Sequence, residues 1–217
     1  FSVRRAASGE LQEVLPKASH GQGVQQDALI YLEIDRCANV GEMRTLEKAL
    51  LEVLAEVRLA VNDFSAMQGR AQQLLAWLDK AKLKVDAAEL AEIKVFMSWL
   101  LDNHFTFLGY EEFTVQADAE GGRLVYDDAS LLGLSKSLRR GLGQDELHIE
   151  PQALDYLREP RLLSFAKAAE PSRVHRPAYP DFVSIRELDS KGKVVKECRF
   201  MGLYTSGVYA ESVSRIP

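Results

Sequence analysis

Apolar and polar positions along the chain change their period twice. Over residues 1–36 the runs are short: FSVRR and ELQEVL flank the turn-forming Ala7-Ser8-Gly9, and ALIYLEID at 28–35 is rich in β-branched and aromatic residues, so this region predicts β structure. In the third run Ile30, Leu32 and Ile34 share one side, with Leu29, Tyr31, Glu33 and Asp35 on the other; the Ile30 side is the one expected to be buried. PKASHGQGVQQD, between the second and third runs, reads as a polar loop.

The period then becomes helical. Asn39 followed by Glu42 forms a capping signature, and Leu46, Leu50, Val53, Val57, Val61, Phe64, Met67, Ala71, Leu75 and Leu78 recur at spacings of three or four. This predicts a helix of about 35 residues, on the order of 50 Å, with Gly69 as the one place where it could break. One short sheet does not cover a stripe that long, so part of it is expected to pack on a second helix or another subunit. The second helix opens at Asp86 with Glu89 and presents Leu90, Ile93, Phe96, Met97, Leu100 and Leu101, with DKAKLKVD as the turn between the two.

From 104 onward the period is two. FTFLGYEEFTV and GRLVYDD predict strands around QADAEGG. The stretch SLLGLSKSLRRGLGQDELHIEPQALDYLREP predicts short helices interrupted by Gly133, Gly141, Gly143 and Pro151. Three more strands follow in RLLSFAKA, DFVSIREL and VVKECRFMGLYT, the last two joined by a turn over 189–193. Two strands, a helical stretch and three strands is an order that resembles the PAS fold, an antiparallel sheet with small helices over one face. The expected class is therefore α+β: a β-sheet unit with a long helix over 1–85, a linker helix over 86–103, and a PAS-like α+β domain over 104–217.

Composition fits that class without a staple. A 217-residue chain with 47% hydrophobic and 27% charged residues is ordinary for a globular protein of one large or two small domains. The net charge of -5 is spread over both halves, so neither is a basic nucleic-acid module. Cys37 and Cys198 stand far apart, which favours a reduced, cytoplasmic setting. No apolar run reaches the ~18 residues of a membrane span, and FSVRRAASGE lacks the apolar core of a signal peptide. A start at Phe in strand-like residues suggests a piece of something longer.

The candidate chemistry is sparse. His20, His104, His148 and His175 are isolated, with no H-E-x-x-H and no paired cysteines, so a metal site is not expected. GLGQDE at 141–146 begins like a dinucleotide loop, but Glu146 stands at the third glycine and no strand precedes it. In WLLDNHFTFLGYEEF, His104 could serve as a general base oriented by Asp102. The weightier reading is a helix terminus, because Asn tolerates the left-handed turn that ends helices and an imidazole suits the last carbonyls. SRVHRPAYPDF is the second polar concentration: Arg173 and Arg176, with His175 and Tyr179 beside them, could hold a carboxylate or phosphate, or could pair with acids of this subunit or a neighbour.

LIYLEIDR, WLLDNHFTFLGYEEF, SRVHRPAYPDFVSIREL and RFMGLYTSGVY together resemble segments of the large bacterial NAD-specific glutamate dehydrogenases, in the portion that precedes their catalytic domain. The resemblance implies that 1–85 is the later part of an ACT-like unit, that 104–217 is PAS-like, and that the segment serves regulation and assembly. It implies as partners the catalytic domain of the same chain, a homo-oligomer and an amino-acid effector. It also implies NAD for the full-length enzyme, with catalytic residues and cofactor fold downstream; no catalytic, cofactor-binding or metal residue carries over to this chain.

Overall fold

A computed structural model describes residues 1–16, 19, 21–81, 83, 85–117, 122–142, 146–149 and 160–209. They form two compact units, Phe1–Leu46 and Glu47–Pro217. The class is α+β, as the periods predict.

In the first unit β1 (Ser2–Arg5) is the middle strand of three, between β2 (Leu11–Leu15) and β3 (Val24–Gln26), all antiparallel. The expected turn closes the β1–β2 hairpin: Gly9 adopts φ 88°, and its amide donates to the Ala6 carbonyl at 2.8 Å. Arg5 fastens the hairpin to the end of β3 through Asp27 at 2.5 Å. Two expectations fail here. Strand β3 lies in the stretch read as a polar loop, and residues 28–35, read as a strand, pair with no strand among the described residues. Ile30, Leu32 and Ile34 are 63–72% exposed rather than buried. Pattern alone supplies side chains suited to a sheet, whereas a strand also needs a neighbouring backbone to take its N–H and C=O groups.

Helix α1 (Val40–Lys80) is longer than expected, 41 residues or roughly 60 Å, and passes Gly69 without a break. Its start is the predicted cap: the Glu42 amide donates to Asn39 Oδ1 at 3.0 Å, while the Glu42 carboxylate reaches back to the Ala38 amide at 2.8 Å. Helix α2 (Ala87–Trp99) is capped by Asp86, which accepts from the Ala88 and Glu89 amides.

The rest of the second unit is an antiparallel sheet. Its strands are β4 (Phe105–Ala117), β5 (Gly122–Tyr126), β6 (Leu132–Gly133), β7 (Glu146–Ile149), β8 (Leu163–Lys167), β9 (Asp181–Leu188) and β10 (Val194–Tyr204). The order is β7-β5-β4-β10-β9-β8, with β6 on β4. Among the described residues between β6 and β7 lies one helix, α3 (Ser135–Leu142). The expectation of helices alone over 130–160 is thus corrected at β6 and β7, because Gly133 pairs with Gly109 and 146–149 pairs with β5; Gly143 and Pro151 lie outside the described residues. The turn joining β9 to β10 is the predicted one, with Asp189 Oδ1 accepting from the Lys191 and Lys193 amides and Gly192 at φ 81°.

The main core lies between the helices and one face of this sheet. Met67, Ala71 and Leu78 of α1 and Ile93, Phe96 and Met97 of α2 pack on Phe107, Tyr110, Ile185 and Phe200. The C-terminal half of α1 is therefore buried where a sheet and α2 meet it, whereas Leu50, Leu51, Leu54 and Val61 stay exposed.

Candidate functional site

The turn between α2 and β4 is a chain reversal. A wide π-type turn over Leu100–His104 ends with Asn103 at φ 60°, ψ 21°, the left-handed conformation an asparagine tolerates. His104 is buried and stacks on Trp99 with ring centroids 4.5 Å apart. Its Nδ1 lies 2.9 Å from the Trp99 carbonyl oxygen; a carbonyl only accepts, so Nδ1 carries the proton. Asp102 is exposed, and Thr205 ties the turn to the end of β10 through the carbonyls of Asn103 and His104, both at 2.9 Å. The geometry is that of a hinge, with the ring nitrogen an orienting acid would use facing a helix carbonyl.

The loop 172–180 holds the four residues singled out by sequence. Arg173 reaches α1, at 2.5 Å from Glu56 and 3.7 Å from Glu52. Arg176 donates to the Tyr204 carbonyl at 2.8 Å, at the end of β10. Their side chains engage different elements. His175 takes φ 72°, and His175 and Tyr179 are exposed. Val174 between the arginines is buried against Leu108, Leu134 and Met201, which anchors the loop.

A cleft of 110 Å³ opens between α1 and the sheet, lined by Leu74, Trp77, Ile185, Arg186, Glu187, Lys196 and Cys198. Strand alternation places Lys196 and Cys198 on the same side of β10. A polar chain adjoins the cleft: Tyr110 Oη donates to Glu112 at 2.7 Å, Lys196 Nζ lies 2.5 Å from the same carboxylate, and Arg70 stands 3.7 Å away. Burial pushes the Glu112 carboxyl upward, but the hydrogen bonds from Lys196 and Tyr110 and the two cations outweigh it and leave it below its ordinary value. Burial pushes the Cys198 thiol up to about 11, so it stays protonated and is a poor nucleophile near neutrality.

The other face of the sheet carries a second ionic cluster. Arg186 Nε meets Glu197 at 2.9 Å, Arg199 meets Glu197 at 2.8 Å and Glu111 at 3.5 Å, and Arg139 meets Glu111 at 3.3 Å. Arg186 and Glu197 are fully buried, and Arg199 lies over the Phe113 ring at 4.6 Å. Burial raises the Glu197 carboxyl, yet the Arg199 and Arg186 charges bring it below its ordinary value. Among the described residues no three His, Cys, Asp or Glu side chains group as a metal site, and no helix is long and apolar enough to cross a membrane.

Comparison with known proteins decides the relationship. A sequence model described as the ACT1 domain of glutamate dehydrogenase matches residues 1–50. The chain is 67% identical over all 217 residues to the NAD-specific glutamate dehydrogenase of Pseudomonas aeruginosa, and 37% identical over 226 aligned residues to that of Halomonas elongata. The enzyme of the same name from Mycobacterium tuberculosis is 28% identical over 219 residues. The chain belongs to the NAD-specific glutamate dehydrogenase family.

It spans all of its own length in these matches but only 12–14% of the relatives'. In this glutamate dehydrogenase segment the ACT1 match takes in β1, β2, β3, the exposed run 28–35 and the start of α1. The glycines at 141–146 do not fit a dinucleotide loop: Gly141 falls in α3 and Glu146 opens β7, helix before strand, the reverse of a strand leading into a phosphate-binding helix terminus. Sequence reasoning missed Tyr110, Glu112, Lys196 and Cys198. The signal was present as residues two apart within runs already read as strands, but only the pairing of Lys196 with Thr114 and Cys198 with Glu112 brings β4 and β10 together.

Proposed function

We propose that this chain is a non-catalytic regulatory and assembly segment of a large NAD-specific glutamate dehydrogenase. The whole polypeptide would convert L-glutamate and NAD to 2-oxoglutarate, ammonia and NADH, holding NAD and its catalytic groups in another part of its length. One observation carries the reading for the described residues: the buried carboxylates are spent on neighbouring side chains, with Glu197 between Arg186 and Arg199, Glu112 between Lys196 and Tyr110, and Glu111 between Arg139 and Arg199. A catalytic acid or base needs an open path to substrate, whereas carboxylates held in buried ion pairs fix a fold. The antiparallel sheet with a helical stretch between its early and late strands supports a PAS-like unit over 104–217, and the ACT1 match supports an ACT-like unit at the start. Purified residues 1–217 given L-glutamate and NAD should form no NADH above a protein-free control; glutamate-dependent NADH would overturn the proposal.

A second reading, a sensor for an amino acid or small carboxylate that acts on the attached enzyme, is favoured by the cleft between α1 and the sheet. Lys196 and Glu187 at an apolar wall of Leu74, Trp77 and Ile185 offer both charges that an amino acid needs. A ligand at about 100 times its dissociation constant adds roughly 2.7 kcal/mol. Thermal unfolding with amino acids and 2-oxoglutarate should then show a raised midpoint that Lys196→Ala abolishes; no shift for any of them retires the sensor reading.

A further inference from the structure

The cleft between α1 and the sheet has a charge layout that selects among ligands. Strand register sets its floor: Cys198 of β10 lies between Glu112 of β4 and Ile185 of β9, and Lys196 lies directly opposite Glu187 of β9. Arg70, Leu74 and Trp77, spaced four and three along α1, bring one helix face to the same place. Directly opposed residues of an antiparallel pair hold their Cβ atoms about 4.5–5.5 Å apart, close enough for Lys196 and Glu187 to join. Lys196 turns instead to Glu112 at 2.5 Å, and no ion pair among the described residues uses Glu187, which is exposed. An ammonium has three N–H donors, so Lys196 keeps donors beyond the one that Glu112 takes.

Four charged groups face the cleft and its border, Lys196 and Arg70 against Glu112 and Glu187, and their charges cancel. The Arg186 guanidinium is engaged by Glu197 on the opposite face of the sheet. A ligand of zero net charge keeps that balance. L-Glutamate or 2-oxoglutarate would bring a second carboxylate to a wall of Leu74, Trp77 and Ile185 that holds no cation, and burying an unpaired carboxylate there is costly. The volume of 110 Å³ falls below the roughly 300–1,000 Å³ of pockets for drug-sized molecules, which suits a small ligand and not a nucleotide.

We propose, building on the sensor reading above, that the cleft takes a neutral amino acid with an apolar side chain. Its carboxylate would sit on Lys196, its ammonium on Glu187, and its side chain against Leu74, Trp77 and Ile185. The regulator is then chemically distinct from the glutamate and 2-oxoglutarate of the reaction proposed for the whole polypeptide.

The test is thermal unfolding of the 217-residue protein titrated with L-valine, L-isoleucine and L-methionine, beside L-glutamate, 2-oxoglutarate and the 2-oxo acid of valine, which lacks the ammonium. The neutral amino acids should raise the midpoint by roughly 5–10 °C at about 100 times their dissociation constants, and the other three compounds should not. Glu187→Gln, at an exposed position where folding is not at stake, should remove the rise, as should Lys196→Ala. A rise with glutamate or 2-oxoglutarate that matches or exceeds that with valine, and is lost in Lys196→Ala, overturns this inference and leaves the sensor reading standing. An equal rise with the oxo acid, or one that survives Glu187→Gln, removes the ammonium from Glu187 and overturns the proposal. No rise with any of the six overturns both.

Discussion

Two eight-residue runs of this protein have the same kind of sequence and opposite fates. DFVSIREL becomes β9, paired on one side with β8 and on the other with β10, and Val183 and Ile185 are buried to 0–1% exposure. ALIYLEID has more apolar residues, six against four, yet Ile30, Tyr31 and Leu32 stand in water. Apolar periodicity is thus a statement about what a segment can bury, and the neighbours decide whether it does. The same holds along α1, whose stripe is buried at Met67 and Leu78 and exposed at Leu50 and Leu54.

The sharpest way to break the comparison is at the pairing that β9 has and 28–35 lacks. Glu197 of β10 lies opposite Arg186 of β9, both fully buried. Glu197→Ala leaves two guanidinium groups without that carboxylate and should cost about 3–5 kcal/mol of stability, measured by urea unfolding. A loss under ~1 kcal/mol would mean that water reaches the pair and that the burial contrast is overstated. Next in size, Met67→Ala opens a cavity under α1 and should cost about 2–5 kcal/mol, while Ile30→Ala in the same 217-residue chain should stay within about 0.5 kcal/mol.

Legibility in the sequence followed the range of the interactions involved. Local signals were readable: Asn39 and Asp86 announced the helix starts, Asn103 the reversal before β4, and 189–193 the last hairpin. Residue pairs that meet only through sheet pairing were not. Glu111 and Arg199 lie 88 positions apart, and nothing local in either run indicates the other. Strand β3 was hidden for a related reason, since VQQ has little apolar content and is a strand because Ser2 and Arg4 lie opposite it. The four loop residues 173, 175, 176 and 179 were found as a polar cluster, but their partners on α1 and β10 were not visible.

The buried side of the comparison also predicts a response to alkali. Cys198 in the folded protein has its thiol raised from 9.0 to about 11, so between those values the folded chain binds the proton more tightly than the unfolded one. Stability from this group is complete below pH 9 and is lost as pH rises toward 11, by roughly 2–3 kcal/mol in all. Cys198→Ala should flatten that part of the stability–pH curve. At the acid end Glu112 and Glu197 work in the opposite sense: both are held below 4.5, so their contribution is present above that pH and fades as pH falls through their folded values. A Cys198→Ala curve parallel to the parent above pH 9 would show that the thiol reaches solvent through the cleft.

The smallest effect separates the loop 172–180 from the core beneath it. Arg173 is half-exposed, and its pairs with Glu56 and Glu52 are surface ion pairs, each worth about 0.2–1 kcal/mol and weakened by salt. Arg173→Ala should therefore lower stability by no more than about 1 kcal/mol, and a double-mutant cycle with Glu56→Ala should recover most of that as coupling. Val174→Ala, one residue along, should cost more, because that side chain is buried beside Leu108 and Met201. If Arg173→Ala instead proves neutral in stability but removes an amino-acid-induced rise in the unfolding midpoint, the arginine faces a ligand as well as α1, and the loop, not the cleft, becomes the place where a regulatory molecule is read.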